Sequence, residues 1–285
     1  MRALEVLTPG PQALVEDLGR PGYAHLGVAP SGALDVSSLR LANRLVGNPA
    51  EAAGIEALLG GLSVRFTTSA TVAVTGPPVP VVVDDRSFGS HTPVPVRAGQ
   101  TLTLGTPSTG LRCYLAVSGG IVVDPVLGSR SRDVLSGIGP APLSASDVLP
   151  LGPPTGIPTG ADVVVPASAP GDLVVPVTLG PRDDWLVSPG SGLAAWWTVT
   201  SESNRVGLRL EGTALRRAAA YAEGELPSEG VLTGAIQVPP NGLPVVFLAD
   251  HPTTGGYPVA AVVRPRALGA LAQARPGTRV RFRTS

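Results

Sequence analysis

The sequence contains no lysine, and all 21 of its basic residues are arginines. A lysine amine is needed for a Schiff base with a carbonyl substrate, for covalent attachment of biotin or a lipoyl group, and for the phosphate contact of a P-loop. The absence of lysine excludes these three kinds of site from this chain. Any covalently attached cofactor must therefore be carried by another chain.

Cysteine and histidine are also scarce. Cys113 is the only cysteine, which excludes an internal disulfide and any metal site built from several thiolates. It lies in an apolar run, so we predict a strand residue and not a reactive thiol. His25, His91 and His251 show no compact metal-ligand spacing, and no Gly-x-Ser-x-Gly sequence occurs. The sequence therefore disfavours a self-contained hydrolase and predicts no metal site.

Neither charge nor hydropathy indicates nucleic acid or a membrane as a partner. The 21 acidic residues balance the 21 arginines, and no arginine-rich face provides the positive charge that binding to a phosphate backbone requires. Residues 1–8 lack the apolar core of a signal peptide, and no run approaches the length of a membrane span. We expect a soluble, cytoplasmic protein.

Glycine and proline are abundant, with 36 and 31 residues, and they separate many short β-branched runs. This pattern is typical of short strands joined by turns, so we predict a mainly β protein. Helical spacing of leucines predicts two short helices, at residues 34–46 and 265–274. The apolar runs are residues 72–74, 79–83, 101–104, 111–117, 163–165, 173–179, 230–238 and 245–248.

The chain is long enough for two lobes. Residues 150–171 are rich in proline, glycine, alanine and threonine, and we place the boundary there. The prediction is an N-terminal β lobe of residues 1–160 with the first helix, and a C-terminal β lobe of residues 161–285 with the second. This prediction is compatible with lobes whose segments alternate along the chain.

The first polar segment comprises residues 16–23 and 30–35, at the start of the first helix. Its simplest interpretation is structural, with Asp17 and Arg20 stabilising a turn as a pair and with Ser31 or Asp35 capping the helix. Asn43 lies within the helix, where a buried amide usually forms local hydrogen bonds, and substrate contact is the alternative.

The second polar segment, residues 203–212, alternates like a strand. Val206, Leu208 and Leu210 would face one side, and Arg205 and Arg209 the other. A guanidinium on that face can bind a carboxylate or phosphate through two parallel hydrogen bonds, whereas the alternative is a solvated face with surface charge pairs.

The third polar segment joins residues 228–230, 235–239 and 250–258. Gly255 and Gly256 let the main chain approach a ligand and offer N–H donors, and the neighbouring threonines add hydroxyls; an ordinary glycine-rich turn is the alternative. Asp183 and Asp184 form an acidic turn, but two adjacent carboxylates define no metal geometry.

These segments together resemble one family. Residues 16–20, 30–35, 42–48, 203–210 and 250–258 are similar to the C subunit of 5-oxoprolinase, also called KipA or allophanate hydrolase subunit 2, in a likeness that extends from the first strand to the last. The resemblance implies a cyclophilin-like β-barrel and a role as one subunit of an enzyme. Its partners would be a KipI-like chain and a LamB/YcsF-like chain.

The implied reaction is the ATP-dependent opening of 5-oxoproline to glutamate, with ATP used by the complex. One alternative is the carboxyltransferase subunit of a biotin-dependent urea or amide carboxylase, in which a partner chain carries the biotin. Another, from a different class, is a regulatory module that binds a KipI-like chain.

The resemblance also implies the site residues. Asp17, Arg205 and Asp250 are the implied catalytic residues, where Arg205 would orient an anionic group and Asp250 would accept or relay a proton. The implied substrate-binding residues are Arg20, Ser31, Asp35, Asn43, Asn204, Glu229, Gln237, Thr253, Thr254, Gly255, Gly256 and Tyr257.

The chain departs from the family pattern in three places. Glu16 replaces a usual glutamine, Val206 replaces a common methionine, and Pro140-Ala141 stands where we expect Gly-Arg after a glycine-rich loop.

Overall fold

The computed structural model describes residues 1–159 and 171–284. These residues form two units that interleave along the chain. The first unit comprises residues 1–20, 31–133 and 137–159, and the second comprises residues 21–30, 134–136 and 171–284. The predicted lobe boundary between residues 160 and 161 and the predicted strand at residues 163–165 lie outside the described residues, and both stay predictions.

The first unit consists of two antiparallel sheets and a helix. One sheet has the strand order β11-β1-β4-β9-β6-β7, and the other has the order β2-β3-β10-β5-β8. Their strands are β1 (Ala3–Pro9), β2 (Gln12–Glu16), β3 (Gly54–Leu58), β4 (Leu62–Phe66), β5 (Ala70–Thr75), β6 (Val81–Val83), β7 (Arg86–Phe88), β8 (Val94–Val96), β9 (Thr101–Leu104), β10 (Arg112–Val117) and β11 (Val148–Pro150).

Strand β10 is buried along its whole length because both of its faces are covered. Cys113, Leu115 and Val117 belong to the main apolar core of the unit, whereas Ala116 packs with residues of the first helix. Cys113 is thus the buried strand residue that the sequence predicts, and burial raises the pKa of its thiol to about 12. A thiol with this pKa stays protonated at neutral pH, which agrees with an unreactive residue.

The predicted helix at residues 34–46 forms as α1 (Val36–Leu45). Asp35 is its N-cap, and its carboxylate accepts a hydrogen bond from the Ser38 amide at 3.1 Å. Leu39 and Leu45 face the interior of the unit. The helix ends at Leu45, and Gly47 follows, whose φ of 76° and close approach to the main chain of Ile157 leave no room for a side chain.

The second unit contains a closed barrel with the strand order β12-β19-β16-β17-β14-β13-β20, and a separate two-stranded sheet of β15 and β18. In the barrel β12 pairs with β20 in parallel, and the other pairs are antiparallel. The strands are β12 (Asp172–Leu179), β13 (Trp197–Val199), β14 (Gly207–Glu211), β15 (Glu229–Gly230), β16 (Ala235–Gln237), β17 (Val245–Phe247), β18 (Thr254–Gly255), β19 (Val259–Val263) and β20 (Arg279–Thr284).

Two short α-helices, α2 (Pro189–Leu193) and α3 (Leu268–Ala272), belong to this unit. The predicted helix at residues 265–274 forms in two parts, because a 3-10 turn precedes α3. Helix α2 is not predicted, since its five residues include two glycines, which disfavour a helix. The 3-10 turns are Ala24–Leu26, Asp183–Trp185, Ala219–Tyr221 and Pro265–Ala267.

The last strand shows how the sequence specifies the barrel. Val280 and Phe282 are buried inside it, and the alternate positions Arg279, Arg281 and Arg283 are exposed. The predicted mainly β architecture with a barrel is confirmed. Within the described part of the chain, no helix has the length and hydropathy to cross a membrane.

Candidate functional site

Most of the residues predicted from the sequence belong to two polar clusters, one in each unit. The first, which we call the serine cluster, comprises Asp17, Arg20, Ser31, Ser129 and Ser131. The second, which we call the ion-pair cluster, comprises the Arg205–Asp250 pair and the strands β15 and β18 with the loop of residues 250–257.

Asp17 is the centre of the serine cluster. Its carboxylate accepts four hydrogen bonds, from the Gly19 amide at 2.8 Å, the Ser129 hydroxyl at 2.5 Å, the Arg130 amide at 2.6 Å and the Ser131 hydroxyl at 2.6 Å. Three of these donors meet Oδ1 and one meets Oδ2, and their number equals the roughly four acceptor positions of an ionised carboxylate. The two serines are separated from Asp17 by more than a hundred residues, and the sequence analysis missed them.

Arg20 follows Asp17 by three positions in the sequence but does not pair with it. Its Nε donates to the Val126 carbonyl at 3.2 Å, and its Nη2 donates to the Ser131 carbonyl. The predicted turn-stabilising pair is therefore wrong, because serines and main-chain amides already occupy the Asp17 carboxylate. The Arg20 side chain is 1% exposed, and its Nη1 has no hydrogen-bond partner among the described residues.

Ser31 lies on the segment that runs alongside residues 17–20. The Ala33 amide donates to the Asp17 carbonyl at 3.0 Å, and a Cβ on Gly32 would lie 2.8 Å from the Gly19 nitrogen. Ser31 itself has a φ of 52°, is 8% exposed, and has a buried hydroxyl without a partner in the described chain. A non-glycine residue in this backbone region carries strain, which tends to be retained at functional positions.

Asp35 and Asn43 are predicted site residues that stabilise the first helix. Asp35 caps it, and the Asn43 amide donates to the Ala52 carbonyl at 2.7 Å while its oxygen accepts from Asn48 at 3.0 Å. Asn43 is fully buried. Its contacts are the local hydrogen bonds that the sequence analysis offers as the alternative to substrate binding.

A buried polar network that the sequence analysis missed contacts the residues at the N-terminal end of the first helix. The Glu56 carboxylate accepts from the Leu34 amide at 3.0 Å and from the Tyr114 hydroxyl at 2.8 Å, and the Arg112 Nε lies 3.3 Å from its other oxygen. The Asp35 amide donates to the same hydroxyl. Burial, with the charge of Glu56 as a second cause, raises the pKa of Tyr114 well above its ordinary value. The network fixes residues 34 and 35, which follow Ser31.

The glycine-rich loop that departs from the family pattern packs against the serine cluster. A Cβ on Gly139 would lie 2.1 Å from the Ser131 carbonyl oxygen, so this close approach requires glycine. Arg132 donates to the carbonyl oxygens of Gly137 at 2.7 Å and Gly139 at 3.3 Å. An arginine that precedes the loop thus binds its main chain.

The ion-pair cluster is built on Arg205 and Asp250. Their side chains are 2% and 0% exposed, with Nε to Oδ2 at 2.8 Å and Nη2 to Oδ1 at 3.2 Å. The same carboxylate accepts from the Val134 amide at 3.1 Å, and the Asp250 amide donates to the Arg205 carbonyl. The pair joins three chain segments and satisfies charges that would be costly to bury alone.

The predicted strand faces need one correction. Strand β14 starts at Gly207, so Arg205 precedes it and turns into the interior, whereas Arg209 is exposed. The side chain of Asn204, an exposed residue, causes the turn, because its oxygen accepts from the amides of Val206 and Gly207 at 2.8 and 3.2 Å.

The small sheet of β15 and β18 carries the glycine-rich loop. Glu229 pairs with Gly255 in register, and Gly230 pairs with Thr254. Arg182 Nε lies 3.1 Å from both carboxylate oxygens of Glu229, and its Nη2 also contacts the carboxylate. This hydrogen bonding lowers the pKa of Glu229. Glu229 therefore has a partner within the chain, and Arg182 is a residue that the sequence analysis missed.

Further hydrogen bonds hold the loop of residues 250–257 in place. Gln237 Nε2 donates to the Tyr257 carbonyl at 3.0 Å, and a Cβ on Gly255 would lie 2.5 Å from that nitrogen. The Thr253 carbonyl accepts from the Val231 amide. Thr254 and Tyr257 are exposed, whereas Thr253, Gly255 and Gly256 are half-buried. The loop therefore offers a hydroxyl and a phenol to solvent.

His251 is held within the same loop. Its Nδ1 lies 2.7 Å from the Pro252 carbonyl, which can only accept, and its Nε2 lies 3.1 Å from the Thr233 hydroxyl. The Nδ1 atom therefore carries a proton. The ring also stacks on Phe247.

The acidic turn at Asp183 and Asp184 does not gather metal ligands, and Asp184 instead accepts from the Tyr221 hydroxyl at 2.9 Å. No group of three histidine, cysteine or acidic side chains suited to a metal occurs within residues 1–159 and 171–284. A cavity of about 450 Å³ in the first unit contains no predicted site residue. It is lined by Val83, Asp84, Asp85, Arg86, Phe88, Pro95, Arg97 and Gln100.

Comparison with known proteins gives a consistent result. The profile of the family described as carboxyltransferase domain, subdomain A and B, matches residues 26–284. The C subunit of 5-oxoprolinase from Escherichia coli K12 is 38% identical over 289 residues, covering 98% of this chain and 90% of that protein. The urea amidolyase of Lachancea kluyveri is 35% identical over 308 residues, covering 98% of this chain but 17% of that protein.

Two solved structures share the fold over almost the whole chain. The urea amidolyase of K. lactis superposes with a TM-score of 0.91 at 32% identity, covering 98% of this chain and 18% of that one. The urea carboxylase of Kluyveromyces lactis gives a TM-score of 0.90 at 32% identity, covering 98% of this chain and 27% of that one. The chain therefore spans most of the Escherichia coli protein but only a small part of the urea enzymes.

Proposed function

Because this chain belongs to the carboxyltransferase-domain family with subdomains A and B, we propose that it is one subunit of an ATP-dependent 5-oxoprolinase. In this function the assembly opens the lactam ring of 5-oxoproline to glutamate. The chain contributes substrate positioning and does not act alone.

One observation carries the proposal. The 5-oxoprolinase protein of Escherichia coli aligns with 98% of this chain and with 90% of its own length. An alignment that covers nearly the whole length of both proteins supports the same role for both more strongly than an alignment to one part of a large enzyme. The name of that protein, which calls it a subunit, also indicates that other chains take part.

The chemistry of a lactam explains why positioned polar groups are needed. Amide resonance makes the carbonyl a poor electrophile, and ATP can activate it by phosphorylation of its oxygen. Donors fixed around the small amide plane then stabilise the charge that develops there. In the ion-pair cluster we assign this role to the main chain and hydroxyls of residues 253–256 and to Tyr257.

Arg205, Asp250, Glu229 and Gln237 have a different task in this proposal. Their contacts lie within the chain: Arg205 with Asp250, Glu229 with Arg182, and Gln237 with the Tyr257 carbonyl. We assign them to positioning the loop. The role of Arg205 in orienting an anion and that of Asp250 in relaying a proton would require the substrate to displace a buried ion pair, so we give them second place.

The partners follow from the same proposal. We expect a KipI-like chain and a LamB/YcsF-like chain to complete the enzyme, with ATP used by the assembly. Biotin cannot be attached to this chain, which has no lysine.

A second candidate function is supported by the urea enzymes. Urea amidolyases match 98% of this chain at up to 35% identity, and one solved example superposes with a TM-score of 0.91. In that function the chain would be the carboxyltransferase part of a biotin-dependent urea or amide carboxylase, and a partner chain would carry biotin. Urea and 5-oxoproline share an unreactive amide, so one site architecture suits both.

The test is reconstitution. The chain is co-expressed with its candidate KipI-like and LamB/YcsF-like partners, and glutamate release from 5-oxoproline is measured with ATP present and absent and with each chain omitted in turn. We expect activity that requires ATP and all three chains. A variant with Thr254→Val and Tyr257→Phe should lower kcat/KM, whereas the exposed control Arg209→Gln should not.

A stable three-chain complex without glutamate release would contradict the proposal. Carboxylation of urea by a complex that contains a biotinylated partner would then establish the second function. Binding of the KipI-like chain with no turnover in any complete assembly would instead indicate a regulatory module.

A further inference from the structure

The serine cluster leaves two buried hydrogen-bond donors without partners. They are Nη1 of Arg20 and the hydroxyl of Ser31, and neither has a hydrogen bond to any described residue. Buried polar atoms in folded proteins are nearly always satisfied, so each exception requires an explanation. Here two exceptions occur on neighbouring segments, because Gly32 lies against Gly19.

The charge of Arg20 makes its position more unusual than that of Ser31. The side chain is 1% exposed, and its other two hydrogen bonds go to the main-chain carbonyls of Val126 and Ser131. No ion pair joins Arg20 to an acidic residue of the described chain. The nearby Asp17 carboxylate already accepts four hydrogen bonds. A guanidinium buried without a counter-charge is costly, and an anion would remove that cost.

The enclosure limits the kind of anion. Both unpartnered atoms are inaccessible to solvent, and Ser31 as a whole is 8% exposed. A triphosphate carries far more oxygen atoms than two donors can satisfy. A single carboxylate has two oxygens in one plane, and it matches one free guanidinium nitrogen and one hydroxyl.

We propose that Arg20 and Ser31 form a binding site for a single carboxylate group of a small ligand. The carboxylate class rests on the two buried donors alone. The choice of 5-oxoproline as the ligand rests in addition on the proposed function, because 5-oxoproline carries one carboxylate and urea carries none. The site would then recognise the part of the substrate that does not react and would favour the lactam over urea.

The experiment measures thermal stabilisation of the full chain by 5-oxoproline and by acetate, each compared with its neutral amide at matched ionic strength. A ligand that binds only the folded state raises the Tm. We expect both acids to raise the Tm and both amides to have no effect. Ser31→Ala should leave the ligand-free Tm unchanged, because the hydroxyl has no partner to lose, but should weaken acid binding by about tenfold.

Arg20→Gln should abolish the stabilisation by acids, although it also lowers the ligand-free Tm because two hydrogen bonds are lost. Arg130→Gln is the matched control, since Arg130 lies between Ser129 and Ser131 in the sequence, is half-buried and donates through Nε to the Val123 carbonyl. It should bind both acids as the parent chain does. Ser31→Ala and Arg20→Gln combined should weaken binding no more than Arg20→Gln alone, since both groups serve one ligand.

The outcomes separate this proposal from the proposed function. Equal stabilisation by acids and amides, or unchanged acid binding in Ser31→Ala, would overturn the carboxylate site. Stabilisation by acetate but not by 5-oxoproline would keep the site and remove 5-oxoproline as its ligand. Acid binding that depends on Ser31, in a chain whose reconstituted assembly releases no glutamate, would keep the site and overturn the oxoprolinase function.

Discussion

Asp17 in the first unit and Asp250 in the second are buried carboxylates, and each has an arginine near it in the fold. The two carboxylates differ in the kind of hydrogen-bond donor that satisfies them. Asp250 forms an ion pair with Arg205, so two charges satisfy each other. Asp17 is satisfied by two serines and two amides, and the charge of Arg20 is left to main-chain carbonyls. The same pair of residue types thus gives a closed arrangement in one unit and an open one in the other.

The difference separates structural from ligand-binding roles. A closed ion pair has little capacity for a ligand unless the pair is first broken, which suits a residue that positions a loop. The Arg20 guanidinium has a nitrogen that can donate to a ligand without breaking an ion pair. We therefore propose ligand binding through the exposed loop in the ion-pair cluster and through the buried Arg20 in the serine cluster.

The largest effect is expected from breaking the buried ion pair between Arg205 and Asp250. Asp250→Asn leaves the Arg205 charge buried without a full counter-charge, and we expect the free energy of unfolding to fall by about 3–5 kcal/mol. Urea denaturation measures the change through the transition midpoint. The control is Glu5→Gln, which breaks the exposed Arg65–Glu5 pair and should cost less than about 1 kcal/mol.

A double variant sharpens this prediction. Arg205→Met with Asp250→Leu removes both charges together, and we expect it to be more stable than Asp250→Asn alone, because no buried charge remains uncompensated. If Asp250→Asn were no more destabilising than Glu5→Gln, the pair would not be the closed structural element described above.

The fold was largely predictable because its signals are local. Short β-branched runs between glycine and proline indicate strands wherever they occur, and the leucine spacing at residues 34–46 indicates a helix without knowledge of its neighbours. The strands β5, β6, β9, β10, β12, β16 and β17 all lie within or overlap the predicted runs. The five-residue helix α2 has no such signal.

The partners within the site were much less predictable because they are distant in the sequence. Ser129 and Ser131 reach Asp17 across 112 and 114 residues, and Arg182 reaches Glu229 across 47 residues. No periodicity or motif encodes such pairings. The sequence indicates which residues carry the chemistry, but only the folded chain shows that Arg205 is occupied and that Arg20 has a free nitrogen.

The next test concerns the neutral donors of the serine cluster. Asp17→Asn keeps the shape of the side chain but turns one acceptor into an NH2 group that faces donors. We expect a loss of about 1–3 kcal/mol in the free energy of unfolding, smaller than that for Asp250→Asn, because hydrogen bonds are lost but no ion pair is broken. Urea denaturation again measures it, with Asp147→Asn as the control, since Asp147 accepts from the Ser144 amide near the surface. A loss equal to that of the control would show that the four hydrogen bonds of Asp17 contribute little.

The smallest expected effect is local, in the sheet of β15 and β18. Arg182→Gln removes the bidentate contact with Glu229, which pairs with Gly255, so the loop of residues 250–257 should open more often while the global unfolding midpoint stays the same. Amide hydrogen exchange should become a few times faster at residues 253–257 only. Arg209→Gln, which changes an exposed arginine of the same unit, is the control and should leave exchange unchanged.

The pH dependence of amide hydrogen exchange tests the same Arg182–Glu229 contact, because the contact should stabilise the loop only while Glu229 is ionised. Arg182 lowers the pKa of Glu229 in the folded chain below its ordinary value of 4.5. A carboxylate with a lowered pKa stabilises the loop fully above the ordinary value, and this contribution is lost as the pH falls through the lower, folded-state value. After correction for intrinsic exchange rates, protection of residues 253–257 should be constant between about pH 7 and pH 5 and should fall below about pH 4.5 in the parent chain. In Arg182→Gln this fall should be much smaller, and an identical pH profile in both chains would show that the Arg182–Glu229 contact does not hold the loop.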